Sequence, residues 1–237
     1  MTDTRPAENG RTTLVIAHRG ASAAHPENTI EAFTAARALG ADAVELDARR
    51  TADGHVIVHH DATLPDGRVI VELPAAALPS SVPSLAEAVD ASHDMAVNIE
   101  IKNWPTDPDF DATEQVADAV LALAAASDRK PELLVSCFHL PTIDHVRAHD
   151  PDLETAFLHA AIDGPTALAL AVEHGHHVLH PWDLYVDAEL VEAAHALGVR
   201  VNVWTVDDPD RMAQLVGWGV DGIVTNVPDL ARSVVDR

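Results

Sequence analysis

Short apolar runs rich in β-branched residues alternate with Ala-rich stretches of helical periodicity along almost the whole chain, and this alternation limits the fold more than any other feature. The runs at 13–17, 43–47, 95–101, 133–138, 154–158, 177–180, 200–204 and 222–225 read as strands. Helical patterns fall between them near 29–39, 84–91, 111–126, 141–149, 165–174, 188–197, 209–217 and 228–235. Asn28 and Ser84 read as helix N-caps, and Gly40, Gly175 and Gly198 stand where helices should stop. Strand-helix units repeated eight times in 237 residues predict an α/β fold, a (β/α)8 TIM barrel, with a doubly wound open sheet as the competing architecture. The expected organisation is a polar N-terminal tail over 1–12 followed by one catalytic domain over 13–237.

One run departs from the alternation. The stretch 55–61 (HVIVHHD) follows the second strand too closely for a helical crossover, and Asp53-Gly54 between them is a two-residue turn signal. The spacing predicts a β-hairpin whose paired positions sum to 107, setting Asp47 opposite His60. Residues 62–82 carry Asp66-Gly67 and several prolines and read as a short excursion over the barrel mouth.

Within the strands, polar residues occupy places meant for a core. Glu45 and Asp47 share one face of their strand while Val44 and Leu46 take the other, and Asn98, Glu100 and Lys102 share a face opposite Ile99 and Ile101. Apolar residues turned outward to helices are what a barrel requires; three carboxylates turned inward need cationic compensation. Two arrangements supply it: a divalent metal bound by Glu45, Asp47 and Glu100, or an ion-pair network of these acids with Arg19, Lys102 and histidines. Carboxylates from two strands at one level favour the metal, a hard ion such as Mg2+ or Ca2+. His18 and Arg19 end the first strand on the same rim, and the hairpin returns His60 to it. Two histidines beside a carboxylate cluster can divide general acid and general base work, while Arg19 and Lys102 offer positive charge to an anion. This inventory points to hydrolysis of a phosphate ester.

Other signals carry less. Asn98 and Asn202 face inward as hydrogen-bonding groups or polar filling. His159 and His180 end strands on the functional rim and read as further substrate contacts, and Glu27 as a residue shaping the loop beside His18. Tyr185 lies near the same rim. The GWGVDG stretch (217–222) precedes a strand instead of opening a helix, which is the wrong context for a dinucleotide site. The HGHH stretch (174–177) reads as surface loop, and Cys137, the lone cysteine, as a buried apolar residue. A formal charge of −23 argues against nucleic-acid binding, and no apolar run is long enough to span a bilayer. The expected setting is cytoplasmic, with a small-molecule substrate.

The segments HRG, PENT, ELD, HHD, IEIK, VWT and DGIVTN occur in the order found in the glycerophosphodiester phosphodiesterases, which the chain resembles over 14–230. The resemblance implies a metal-dependent enzyme on a TIM barrel that cleaves glycerophosphodiesters to sn-glycerol 3-phosphate and an alcohol. It implies His18 and His60 as the acid-base pair, Glu45, Asp47 and Glu100 as metal ligands, Arg19 and Lys102 as phosphate-holding cations, and Trp204 as an aromatic wall. The chain has Asn226 where many members have Asp, and it lacks an Arg-Thr-Thr stretch after His60-Asp61. Two alternatives share the site: a phospholipase D-like lyase forming a cyclic phosphate, and a noncatalytic phosphate- or metal-binding barrel.

Overall fold

The computed structural model describes residues 13–237, so the tail read over 1–12 lies outside the described residues. In chain order the strands are β1 (Leu14–His18), β2 (Ala43–Arg50), β3 (Val56–Val58), β4 (Ala96–Ile101), β5 (Leu133–Cys137), β6 (Glu154–His159), β7 (Val178–Pro181), β8 (Arg200–Val203) and β9 (Gly222–Thr225). All but β3 run parallel, and pairing of β1 with both β2 and β9 closes them into a barrel. Around it lie α1 (Ile30–Ala38), α2 (Leu85–Ala91), α3 (Gln115–Ala126), α4 (Leu140–His149), α5 (Gly164–His174), α6 (Ala188–Ala196), α7 (Pro209–Trp218) and α8 (Pro228–Val235). This is the (β/α)8 architecture.

Strand alternation sorts the chain into two interiors. Val44, Leu46, Val97, Ile99 and Ile101 point outward and join the helix faces in one large core, each worth about 1.5–3 kcal/mol when fully buried. Inside the barrel, the apolar cluster is a floor formed by Ile16, Ala43 and Val224, with Leu14, Ala96 and Trp204 against it. One strand step above that floor stand the polar side chains of the rim.

The hairpin forms, but in another register. Ala48, Arg49 and Arg50 pair with Val58, Ile57 and Val56, so positions sum to 106 and Asp47 meets His59, whose N–H donates to the Asp47 carbonyl at 2.9 Å. The cause is the turn. The Thr51 N–H bonds the His55 carbonyl and the Gly54 N–H bonds that of Thr51, with Gly54 at φ +80°. Three residues, Ala52 to Gly54, therefore cross the tip with a left-handed glycine closing it, where the two-residue reading counted only Asp53 and Gly54. His60 lies beyond the paired part of β3 and still reaches the mouth.

The excursion builds a cluster of its own, Leu64 and Ile70 packing on Ile57 with Leu73, Leu78 and Val82 around them. The cap of α1 is Thr29, whose hydroxyl accepts the Ala32 N–H, and not Asn28; Ser84 caps α2 through a full capping box with Glu87. Helix α3 begins at Gln115 and not near 111, because the Asp111 carboxylate takes the N–H groups of Thr113 and Gln115 and ends the preceding loop. In HGHH, His176 is buried against Thr155 and Asp144, contrary to a surface-loop reading. Its neighbour in sequence is the αL cap Gly175, which turns the chain inward.

The turn leaving β1 is tightly determined. Arg19 has φ +57° and Gly20 φ +78°; a Cβ on Gly20 would lie 2.6 Å from the Ala32 carbonyl carbon in α1. Gly20→Ala should therefore cost at least about 2 kcal/mol in urea unfolding, from backbone contact and a left-handed φ together. Burial also holds histidines neutral. It pushes His159 down to about 4, and burial followed by Arg200 takes His180 to about 3. The unfolded chain takes up these protons near pH 6.5 and the folded chain does not, so stability falls as pH drops below that value. Each group contributes a slope of about 1.4 kcal/mol per pH unit. His159→Phe should flatten the loss between pH 6.5 and about pH 5 by about 1–2 kcal/mol; an unchanged slope would mean that His159 titrates as in water.

Candidate active site

The barrel register brings the acids together. Glu45 pairs with both His18 and Asn98, and Asp47 with Glu100 on the neighbouring strand. Glu45, Asp47 and Glu100 each offer an oxygen within 4.8 Å of the others. Glu45 and Asp47 are buried at 4% and 1% exposure, and their surroundings treat them differently. Burial, then the charges of Asp47 and Glu100, hold the Glu45 carboxyl well above the usual carboxylate range. Burial acts on Asp47 in the same direction, but Lys102, Arg19 and His60 together overcome it and keep Asp47 low. Burial also raises Glu100, against Lys102.

The cations are placed by the same turns. Lys102 Nζ donates to Glu100 Oε1 at 2.7 Å and stands 3.4 Å from Asp47 Oδ1. At Arg19, the left-handed backbone aims the N–H at Glu45 Oε2 (2.9 Å), and Nε lies 3.3 Å from Asp47 Oδ2. Glu27 takes the Arg19 guanidinium through both carboxylate oxygens at 2.9 Å, which gives it a loop-shaping place. Even so, among the described residues Glu45 Oε1, Asp47 Oδ1 and Asn98 Oδ1 are buried without a hydrogen-bond partner. Three hard oxygen atoms left unsatisfied beside a repelling acid trio fit a divalent cation. The side-chain ion pairs compensate the cluster only in part.

Each histidine is oriented through Nδ1. His18 Nδ1 lies 2.8 Å from Asn226 Oδ1. The Asn226 amide is fixed because its Nδ2 donates to Asp207 Oδ2 and its Oδ1 accepts from Ser22, so His18 carries its proton on Nδ1 and has Nε2 as its free base. His60 Nδ1 lies 2.7 Å from Asp61 Oδ1, which selects the same tautomer. Burial, then Arg19, lowers His18; burial, then Lys102, lowers His60. Both rings are neutral near pH 7.

Two connected cavities occupy the mouth. The deeper, about 180 Å³, is lined by His18, Arg19, Glu45, Asn98, His180 and Trp204. The outer, about 400 Å³, is lined by Trp104, Phe138, Ala160, Ala161, Asp61 and Asp107. His60, Glu100, Lys102 and Phe138 border both. Phe138 makes T-shaped contacts with Trp204 (5.5 Å) and Trp104 (6.0 Å), forming a continuous aromatic wall.

The structure thus gathers His18, His60, Glu45, Asp47, Glu100, Arg19, Lys102, Asn98, His180 and Trp204 around one space, with Glu27 behind Arg19. His159 is not among the residues lining either cavity. It leaves the β6 end on the outward face and packs between Phe157 and Tyr185. Asn202 holds His180 by a 3.0 Å contact. Sequence reasoning missed Asn28, whose Nδ2 donates to Asp47 Oδ2 at 2.8 Å while its backbone sits at φ +57°. It also missed Asp61 and the Asp207–Asn226 pair that orient the histidines, and the outer wall of Trp104 and Phe138. Asn28 had a readable signal, since asparagine is among the few residues that tolerate the left-handed turn.

The model of the glycerophosphoryl diester phosphodiesterase family matches residues 18–230. The glycerophosphodiester phosphodiesterase of Caldanaerobacter subterraneus subsp. tengcongensis is 32% identical over 95% of this chain and 98% of its own. A glycerophosphodiester phosphodiesterase crystal structure from Thermotoga maritima superposes with a TM-score of 0.80 at 26% identity, covering 94% of this chain and 98% of that one. An Oleispira antarctica phosphodiesterase, solved with its product sn-glycerol-3-phosphate, shares the fold at a TM-score of 0.85 and 24% identity, over 95% of this chain and 98% of its own. With the family model spanning nearly the entire barrel and its motif residues converging on one mouth, the chain belongs to the glycerophosphoryl diester phosphodiesterase family.

Proposed function

We propose that this protein hydrolyses glycerophosphodiesters to sn-glycerol 3-phosphate and an alcohol, using a divalent cation, Mg2+ or Ca2+, held by Glu45, Asp47 and Glu100. The observation that carries this reading is the convergence of three acidic oxygens within 4.8 Å beneath two histidines with matching tautomers. The chemistry a dication supplies there is Lewis-acid stabilisation of charge on phosphate and nucleophile. An acidic chain of formal charge −23, in which no described helix is long and apolar enough to cross a membrane, suits a cytoplasmic role on small diesters of lipid and glycerol metabolism, without nucleic acid as partner.

The residues divide the work by position. Arg19 and Lys102 flank the place between the two cavities where the phosphodiester sits, and their charge orients its nonbridging oxygens. His18 lines only the deeper cavity, where its Nε2 takes the proton of the attacking hydroxyl. His60 borders both cavities, so its Nε2 faces the outgoing arm. Having taken a proton from solvent, it gives that proton to the alcohol oxygen as the P–O bond to it breaks and the attacking oxygen bonds phosphorus, water supplying the hydroxyl left on the phosphomonoester. Asn226 and Asp61 keep each ring turned for that task, and each stabilises its imidazolium by accepting a hydrogen bond from the Nδ1–H. Trp204 closes the inner wall, and its Nε1 donates to the His180 carbonyl at 2.9 Å.

His18→Ala and His60→Ala should each lower kcat on glycerophosphodiesters by at least about 100-fold, the usual scale for a general acid or base. Near-normal turnover in either variant would remove that residue from the chemistry. Chelation should abolish turnover, and stepwise readdition of Mg2+ and Ca2+ separately should restore it with one ion preferred. Phosphorus NMR of the products distinguishes hydrolysis, which yields the phosphomonoester, from a lyase, which would leave a stable cyclic phosphate.

A further inference from the structure

The outer cavity has a composition that cleavage itself does not require. Its wall is apolar and aromatic: Phe138, Ala160 and Ala161, with Trp104 at 45% exposure on the lip. Its polar groups near the lip are carboxylates. Among the described residues, the side-chain hydrogen bonds of Asp107 and Asp61 use one oxygen each, toward Arg49 and His60. The cations bordering this space are already paired with carboxylates, and Asp107 keeps one oxygen outside its pair with Arg49. Arg49 is 3% exposed and gives Nε to the His60 carbonyl, Nη1 to both oxygens of Asp109 and Nη2 to Asp107. Lys102 faces Glu100 and Asp47.

The lip is also held in place. Buried Asn103 ties the two ends of the segment carrying Trp104 and Asp107: its Nδ2 donates to the Asp111 carbonyl at 3.1 Å and its Oδ1 accepts the Asp111 N–H at 2.8 Å. Arg49 clamps the middle through Asp107 and Asp109. Trp104 and Asp107 are therefore presented with little ordering left to do on binding.

Resting on the phosphodiesterase reading above, we infer that the outer cavity is a subsite for a leaving alcohol that carries a cationic, methylated nitrogen, a choline-type arm, with Trp104 and Asp107 as the specificity-determining residues. An aromatic face beside carboxylates attracts a weakly hydrated ammonium through its ring quadrupole and by direct charge, and aliphatic walls accept its methyl groups. A polyol arm would leave its hydroxyls against Ala160, Ala161 and Phe138, and an anionic arm would meet Asp61 and Asp107.

The test compares kcat/KM for glycerophosphocholine and glycerophosphoglycerol in the wild type, Trp104→Leu and Asp107→Asn, with thermal melting to confirm folding. Asp107→Asn keeps an acceptor for Arg49. The wild type should favour the choline diester by about tenfold, and each substitution should cut that ratio at least about threefold, the range expected of cation–aromatic and screened charge contacts. Equal wild-type rates, or a ratio unmoved by both variants, would overturn the inference. Calorimetric titration of the metal-loaded His18→Ala variant, whose outer cavity is intact, with the same two diesters separates this inference from the hydrolytic reading. Preferential binding of the choline diester by that variant, with no turnover of either diester by the metal-loaded wild type, would sink only the latter, whereas undiscriminating or absent binding with no wild-type turnover would sink both.

Discussion

Three carboxyl groups with oxygens within 4.8 Å of one another, inside a barrel, set the problem that the surrounding structure answers. Two like charges at such a distance repel strongly in a low-dielectric interior, and burial penalises each separately. Nearly every unusual local feature of the mouth supplies a donor or a positive charge to this cluster. Arg19 adopts a left-handed backbone that spends its N–H on Glu45. Asn28, also left-handed, gives its amide to Asp47 and its own N–H to the Arg19 carbonyl, so the two strained residues brace each other. Such conformations each cost about 1–3 kcal/mol and persist only where their surroundings determine them. Gly20 completes the turn by allowing α1 to approach without a side chain in between.

The barrel lets this strain coexist with a stable fold because it separates the two demands by strand parity. Outward positions of β2 from Val44 to Ala48 and of β4 from Val97 to Ile101 are apolar and belong to the helix-covered core, which carries most of the burial. Inward positions change character along the strand, from the Ile16, Ala43 and Val224 floor to Glu45, Asp47 and Glu100 above. The polar layer thus sits at the C-terminal ends of the strands, where connecting loops can supply Arg19, His60 and Trp104 without disturbing the ladder.

Parity is also why so much of the site could be read from the sequence. A period of two places Glu45 with Asp47 and Asn98 with Glu100 and Lys102 without any knowledge of the loops, and the strand-helix alternation supplies the barrel. What parity cannot give is the contribution of turns. The hairpin register slipped by one because Gly54 takes a left-handed place as a third turn residue, a choice between turn types that Asp53-Gly54 alone does not make. Asn28 looked like a cap because its residue type serves both roles; tertiary contact with Asp47 decided between them. His159 ends its strand on the rim, but on the outward face with Phe157; because Phe157 and Leu158 make both sides of β6 apolar, parity alone does not say which side turns inward. The Asp207–Asn226–His18 chain joins groups far apart in sequence and leaves no local pattern.

The charge of the whole chain gives the cluster a second meaning. At −23, the protein repels a phosphodiester at long range, within the screening limits of salt. Nearby, three carboxylates face the two side-chain cations Arg19 and Lys102, so the protein alone leaves the mouth slightly negative, and Glu27 weakens Arg19 further. In the proposed reading, a bound dication reverses that local sign, so the condition that relieves the buried acids is the one that makes the cavity hospitable to an anionic diester. The outer cavity keeps the opposite polarity, with Asp61 and Asp107 at its lip. A zwitterionic diester then meets a field matching its own charge order: anion inward toward Arg19 and Lys102, cation outward toward the carboxylates. That gradient gives direction to binding, since the reversed orientation would set each charge against its like.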